Sequence, residues 1–157
     1  MNVSLRWLEE FLRRQLEVKD VTERLAMLGA PVDEIDAQLE QLYRRVLFSI
    51  LVGNRDDHLR NHGFLRAATG WRLTPAFDVN PNPDKDIHAL AIDAQDPAPS
   101  SETLRQTAAY YRLSAVQADR IDQEVRAAIA DWQHHARQLG LPALEIDLMQ
   151  AVIDPQR

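Results

Sequence analysis

The segment Val46-Leu-Phe-Ser-Ile-Leu-Val52 constrains this chain more than any other. It continues a pattern of Ile35, Leu39, Leu42, Val46 and Ile50, whose spacing predicts a helix from about Val32 to Leu51. The first turns of that helix are apolar on one face, whereas its last two turns are apolar all round. Such a segment has to be covered on every side, so the pattern predicts a core helix with the rest of the fold packed around it. The run is far shorter than the roughly 20 residues of a membrane span. Nor does the N-terminus read as a signal peptide, because Glu9, Glu10 and two arginines interrupt any apolar stretch. A cytoplasmic protein is expected.

The remaining periodicity supplies partners for the core helix. Two N-terminal helices are predicted, Leu5 to about Leu16 behind Ser4, and one from Asp20 that stops at Gly29 and Pro31. Phe64-Leu65 and Trp71-Arg-Leu73 flank Thr69-Gly70 and predict a hairpin. Thr74 to Asp86, rich in proline and asparagine, predicts an irregular loop, and Ile87 to Ile92 a short extended segment. Ser100-Ser101 opens a helix to about Tyr111, Ser114 a long one to about Leu139, and Ala143 a last one to about Ile153. The expected class is mostly α (α+β), with the core helix Leu39 to Val52 against the long helix, and Trp71 and Trp132 as core aromatics. At 157 residues this is one domain, or one domain with an appendage.

Several chemistries are excluded by composition. With no cysteine there is no disulfide, thiolate metal site or cysteine nucleophile. No Gly-x-Ser-x-Gly elbow supports a hydrolase triad. A net charge of -6 disfavours general nucleic-acid binding. Arg13-Arg14 and Arg44-Arg45 carry no interleaved aromatics and read as solvated helix faces. His58 and His62 have a His-x-x-x-His spacing, but in a loop, where a hydrogen-bonded His58 is expected rather than a zinc pair.

The loop after the core helix, Asn54-Arg-Asp-Asp-His-Leu-Arg-Asn-His-Gly63, is polar and aperiodic. It holds Asp56-x-x-x-x-Asn61, and Phe77-Asp78 follows beyond the hairpin. Kinase-type phosphoryl transfer uses these groups in this order. One carboxylate orients the acceptor hydroxyl, and an amide oxygen and a later carboxylate hold magnesium, a cation suited to hard oxygen donors.

Residues from about Leu42 to Ala151 resemble the C-terminal domain of the HipA family of serine/threonine-kinase toxins. The resemblance rests on Asn54-Arg-Asp-Asp-His-Leu-Arg-Asn-His-Gly-Phe-Leu65 and Trp71-Arg-Leu-Thr-Pro-Ala-Phe-Asp-Val79. His88-Ala-Leu-Ala-Ile92 and Ala127-Ala-Ile-Ala-Asp-Trp132 add weaker support. The resemblance implies Asp56 as the catalytic aspartate and Asn61 and Asp78 as magnesium ligands. It makes His58 and Arg60 loop-stabilising or phosphate-side groups, and ATP with Mg2+ the cofactors. It also implies an antitoxin partner and a protein substrate.

The chain departs from that family at its start. A kinase site is roofed by a lobe with a phosphate-covering loop and a lysine. The roughly 40 residues before the matching region hold no Gly-rich loop, and Lys19 and Lys85 are the only lysines of the chain. Residues 1–36 instead resemble the N-terminus of the phenylalanyl-tRNA synthetase beta chain, through Met1-Asn-Val-Ser-Leu-Arg-Trp-Leu-Glu9 and Glu23-Arg-Leu-Ala-Met-Leu-Gly-Ala-Pro-Val-Asp-Glu-Ile35. The expected organisation is a helical appendage over 1–36 and a HipA-like domain over 37–157. The expected function is a truncated kinase lobe that needs an N-lobe in trans. The alternative is a catalytically silent binding module for a toxin or antitoxin.

Overall fold

In the computed structural model, helix α1 (Val32–Leu51) is the axis of the fold. The structure describes residues 32–67, 70–84 and 100–154. The two helices expected before residue 31, the expected extended segment Ile87 to Ile92, both lysines and the synthetase-like stretch up to residue 31 lie outside these residues. The last turns of α1 are enclosed as their composition requires: Val46, Leu47, Ile50 and Leu51 are buried, and Ser49 with them.

Helix α1 ends in a Schellman motif. The Gly53 amide donates to the Ile50 carbonyl at 3.2 Å and the Asn54 amide to the Ser49 carbonyl at 2.8 Å. Gly53 takes φ +67°, the left-handed conformation that this motif needs. A 3-10 turn (Leu59–Asn61) follows, then the antiparallel strands β1 (Phe64–Ala67) and β2 (Gly70–Leu73), paired Phe64 to Leu73 and Leu65 to Arg72. The hairpin is fastened to α1 where the Leu73 amide donates to Gln38 Oε1 at 2.8 Å. Among the described residues of the hairpin only Leu73 is buried. Trp71, expected in the core, is 46% exposed: it shares the strand face of Leu73 but stands two residues nearer the turn, whereas Leu73 is the residue fastened to α1.

Helix α2 (Ser101–Gln106) is capped by the Ser100 hydroxyl, which accepts from the Glu102 and Thr103 amides. A 3-10 turn (Ala108–Tyr111) ends at Arg112 with φ 58°. Helix α3 (Ala115–Ile129) starts with a capping box between Ser114 and Gln117, and its stripe of Ala118, Ile121, Val125 and Ile129 lies on α1. The surface pairs Arg44–Glu124 (2.7 Å) and Arg120–Glu40 (3.0 Å) also join α1 to α3, each contributing little in water.

The long helix expected to reach Leu139 breaks after Ile129. Helix α4 (Trp132–Gln138) then runs to pack on α5 (Ala143–Gln150). No glycine or proline marks the break. Ile129 is the last residue of the buried stripe, and a straight continuation would bury nothing more on α1. Trp132 is half-buried there. No described helix is long and apolar enough to cross a membrane.

Of Arg44-Arg45, expected on a solvated helix face, Arg44 instead is half-buried and pairs with Glu40 and Glu124, and Arg45 turns to the loop after β2. Arg45 donates through Nη2 to the Thr74 carbonyl, and its Nε and Nη1 are buried without partners.

Tyr43, only 2% exposed, packs edge-on against Tyr111 with ring centroids 5.2 Å apart. Burial, and then the Asp122 carboxylate, push its phenol up to about 12 from the ordinary 10.0. In this window the unfolded chain has lost the proton that the folded chain keeps, so stability falls as pH rises from about 10 to about 12 and is unaffected below. The loss is about 2–3 kcal/mol. Thermal melts across this range should show the decline, and Tyr43→Phe should remove most of it. Burial raises Tyr111 as well, which accounts for the remainder. An unchanged alkaline slope in Tyr43→Phe would contradict this assignment.

Candidate functional site

The polar loop is positioned from both sides. Its N-terminal end leaves the core through Gly53, and its C-terminal end enters the hairpin. Thr74 returns to it by donating its amide to the Gly63 carbonyl at 2.8 Å. Within the loop, Asp57 and His62 form a buried pair. His62 Nε2 lies 3.1 Å from Asp57 Oδ1, with side chains 8% and 3% exposed. This pair closes the turn across the 3-10 segment, so the bonded histidine is His62. His58, expected in that role, has a buried Nδ1 with no partner. His58 precedes the 3-10 turn and offers its carbonyl to the Asn61 amide at 2.8 Å.

Asp78 stands on the loop after β2 with φ 55°, a conformation unfavourable for a residue with a side chain. Three asparagines hold it there. Asn54 Nδ2 donates to the Asp78 carbonyl at 3.1 Å, Asn61 Nδ2 to Oδ2 at 3.2 Å, and Asn80 Nδ2 to Oδ1 at 3.4 Å. Asn54 and Asn61 are 2% and 5% exposed, so these donors are fixed by the core rather than by solvent. The same loop reaches Asp56: Asn82 Nδ2 donates to Asp56 Oδ2 at 3.3 Å while its amide donates to the Gly53 carbonyl at 2.9 Å.

The fold thus brings Asn61 directly to Asp78 and ties Asp56 to the loop that carries Asp78. Asp56 and Asp78 are exposed, whereas Asp57 between them in the sequence pattern is turned into the protein. Arg60 is exposed on the 3-10 turn, and no contact joins it or His58 to the three oxygen-bearing side chains.

Among the described residues no group of three or more His, Asp or Glu could form a metal cage. The donors at hand are the Asn61 amide and the Asp78 carboxylate. Their 3.2 Å separation is close to the roughly 3 Å between neighbouring ligands of an octahedral ion with bonds of about 2.1 Å. A half-turn of the Asn61 amide puts its oxygen on that side. Two hard oxygens fit magnesium, which keeps most of its shell for water and phosphate; zinc would call for nitrogen or sulfur.

Sequence patterns did not single out Asn54, Asn82 or the Asp57–His62 pair. The available signal was the density of asparagine around Asp78: Asn54, Asn61, Asn80 and Asn82.

Residues 8–149 match the family model described as the HipA-like C-terminal domain. No curated protein and no solved structure matches the chain, and the likeness of residues 1–36 to the phenylalanyl-tRNA synthetase beta chain finds no counterpart in these comparisons.

Proposed function

The chain belongs to the HipA-like C-terminal domain family, and we propose that its Asp56–Asn61–Asp78 cluster is a phosphoryl-transfer site of the serine/threonine-kinase type, working with ATP and magnesium. The observation that carries this reading is the Asn61–Asp78 contact at 3.2 Å on a loop that also holds Asp56 through Asn82.

In this reading Asp56 accepts the hydrogen bond of the acceptor hydroxyl and takes its proton as the oxygen bonds to the γ-phosphorus and the bond to the β-phosphate oxygen breaks. Asn61 and Asp78 hold the metal, which when bound neutralises the phosphates. Asn54 keeps Asp78 in its left-handed conformation, so the carboxylate is positioned before ligand arrives. This reading also requires a nucleotide-covering surface, and the residues of this sequence before the polar loop carry no glycine-rich stretch that would supply it. A toxin–antitoxin setting follows from the family.

The test is a thermal melt of the full chain with ATP and magnesium, beside Asp78→Ala. Nucleotide at about 100 times its dissociation constant adds roughly 2.7 kcal/mol, a shift of several degrees. The shift should need magnesium, vanish in Asp78→Ala and persist in Asp56→Ala, which loses transfer but keeps both metal ligands. No shift at millimolar nucleotide would defeat the reading and favour a silent binding module, whose biological effect would survive replacement of all three residues by alanine.

A further inference from the structure

Two surface patches of opposite charge lie apart from the carboxylate site. Residues 58–77 carry Arg60, Arg66 and Arg72 and no aspartate or glutamate. Among the described residues, Arg44, Arg105, Arg112, Arg120 and Arg126 each pair with a carboxylate, whereas Arg66 and Arg72 on the hairpin meet none. Cross-strand pairing sets Arg66 opposite Trp71, with Phe64 two residues along on the same face. Phe64 is exposed to the same degree as Trp71, so this face presents two aromatic rings beside a cation.

Helix α5 is the opposite case. Residues 138–156 hold Glu145, Asp147 and Asp154 and no lysine or arginine. At about 100° per residue, Leu144 and Leu148 form a ridge opposite Ile146, flanked by Glu145 on one side and Asp147 on the other. Ile146 is buried, so the ridge points to solvent, and Leu144 is 82% exposed. Neither Glu145 nor Asp147 has a cation partner among the described residues.

The two patches belong to opposite ends of α1. Leu73 fastens the hairpin to Gln38, and the Asp154 amide fastens the segment after α5 to the Leu51 carbonyl. From Gln38 to Leu51 the helix rises about 20 Å. A contact between the patches is therefore one between two chains.

We propose that the Phe64–Arg66–Trp71 face of the hairpin docks the Leu144–Leu148 ridge of a second copy of this chain. The leucines cover the rings and a flanking carboxylate meets Arg66, while Arg72 on the reverse face adds to the local positive potential. Aromatic rings and arginine are the side chains that concentrate binding energy at protein interfaces. The contact joins two different patches, so a dimer keeps one free hairpin and one free ridge. Patches this small make a weak association, sensitive to concentration. A nucleic-acid strand also suits arginine beside aromatic rings, but it would leave the acidic ridge uncovered and be repelled by a chain of net charge -6. The inference does not rest on phosphoryl transfer, and its test reads association alone.

Sedimentation velocity of the full chain, from about 10 μM to about 1 mM, checks it. The weight-average sedimentation coefficient should rise across this range, and the rise should shrink in high salt. Arg66→Glu with Arg72→Glu, and separately Glu145→Lys with Asp147→Lys, should each weaken association about tenfold or more. An equimolar mixture of the two variants should associate again, because the reversed hairpin meets the reversed ridge. That restoration also shows both variants to be folded. A chain that stays monomeric, association untouched by the reversals, or a mixture that fails to associate would overturn the proposal. Binding of oligothymidylate to a chain that stays monomeric would overturn it in favour of the nucleic-acid strand.

Discussion

Gly53→Ala is expected to destabilise the protein by about 2–5 kcal/mol and to lower its melting temperature by roughly 5–15 °C. Two independent effects add. At φ +67° a side chain costs about 1–2 kcal/mol by itself. A methyl group at Gly53 would also stand 2.4 Å from Val152 Cγ1 and 2.9 Å from the Val152 carbonyl oxygen. Forcing atoms into such a contact costs about 1–3 kcal/mol. The clash with Cγ1 can be relieved and the clash with the carbonyl cannot, because the C-terminal segment is fastened by the Asp154 amide to the Leu51 carbonyl at 2.9 Å. Gly53→Ala should therefore cost about 1 kcal/mol less in a Val152→Ala background, with the rest remaining. Full recovery in the double variant would mean that only the side-chain contact matters. In the proposed phosphoryl-transfer reading, Asn54 follows Gly53 and orders Asp78, so the same change should also weaken nucleotide binding beyond its effect on the fold.

Ile121→Ala is expected to cost about 2–5 kcal/mol, against less than 0.5 kcal/mol for Val116→Ala on the same helix. Ile121 is fully buried where α3 meets α1, whereas Val116 is 78% exposed. Removing buried carbons forfeits their transfer free energy and leaves a cavity that the close-packed core fills only in part. Denaturant melts of the two variants check this. Similar losses at both positions would contradict the packing of α3 on α1.

The expected helices over Val32 to Leu51 and Ala143 onward, the hairpin and the cap at Ser114 were legible in the sequence, since each rests on residues close in the chain: an apolar repeat, a turn dipeptide, a serine before a helix. The polar loop stood out for the same reason, as an aperiodic stretch after an apolar helix. The α3–α4 break was not legible, because Ala130-Asp131 has no breaking residue and the turn follows from where the buried stripe ends. Trp71 read as a core aromatic by size, but it stands toward the turn of the hairpin, and only Leu73 on the same strand face is buried. His58 and His62 were indistinguishable by type and spacing, and only the fold directs His62 to Asp57.

The sequence by itself therefore determined the core helix, the helical class and the identity of Asp56, Asn61 and Asp78 as candidates, because periodicity and short motifs are local properties of a chain. The tertiary structure alone decided what surrounds those residues. It chose three asparagines to hold Asp78 and turned Asp57 inward while Asp56 stays in solvent. It also shielded two guanidinium nitrogens of Arg45 while its neighbour Arg44 found surface partners. The reason is that burial and pairing depend on residues that packing, rather than chain order, brings within reach.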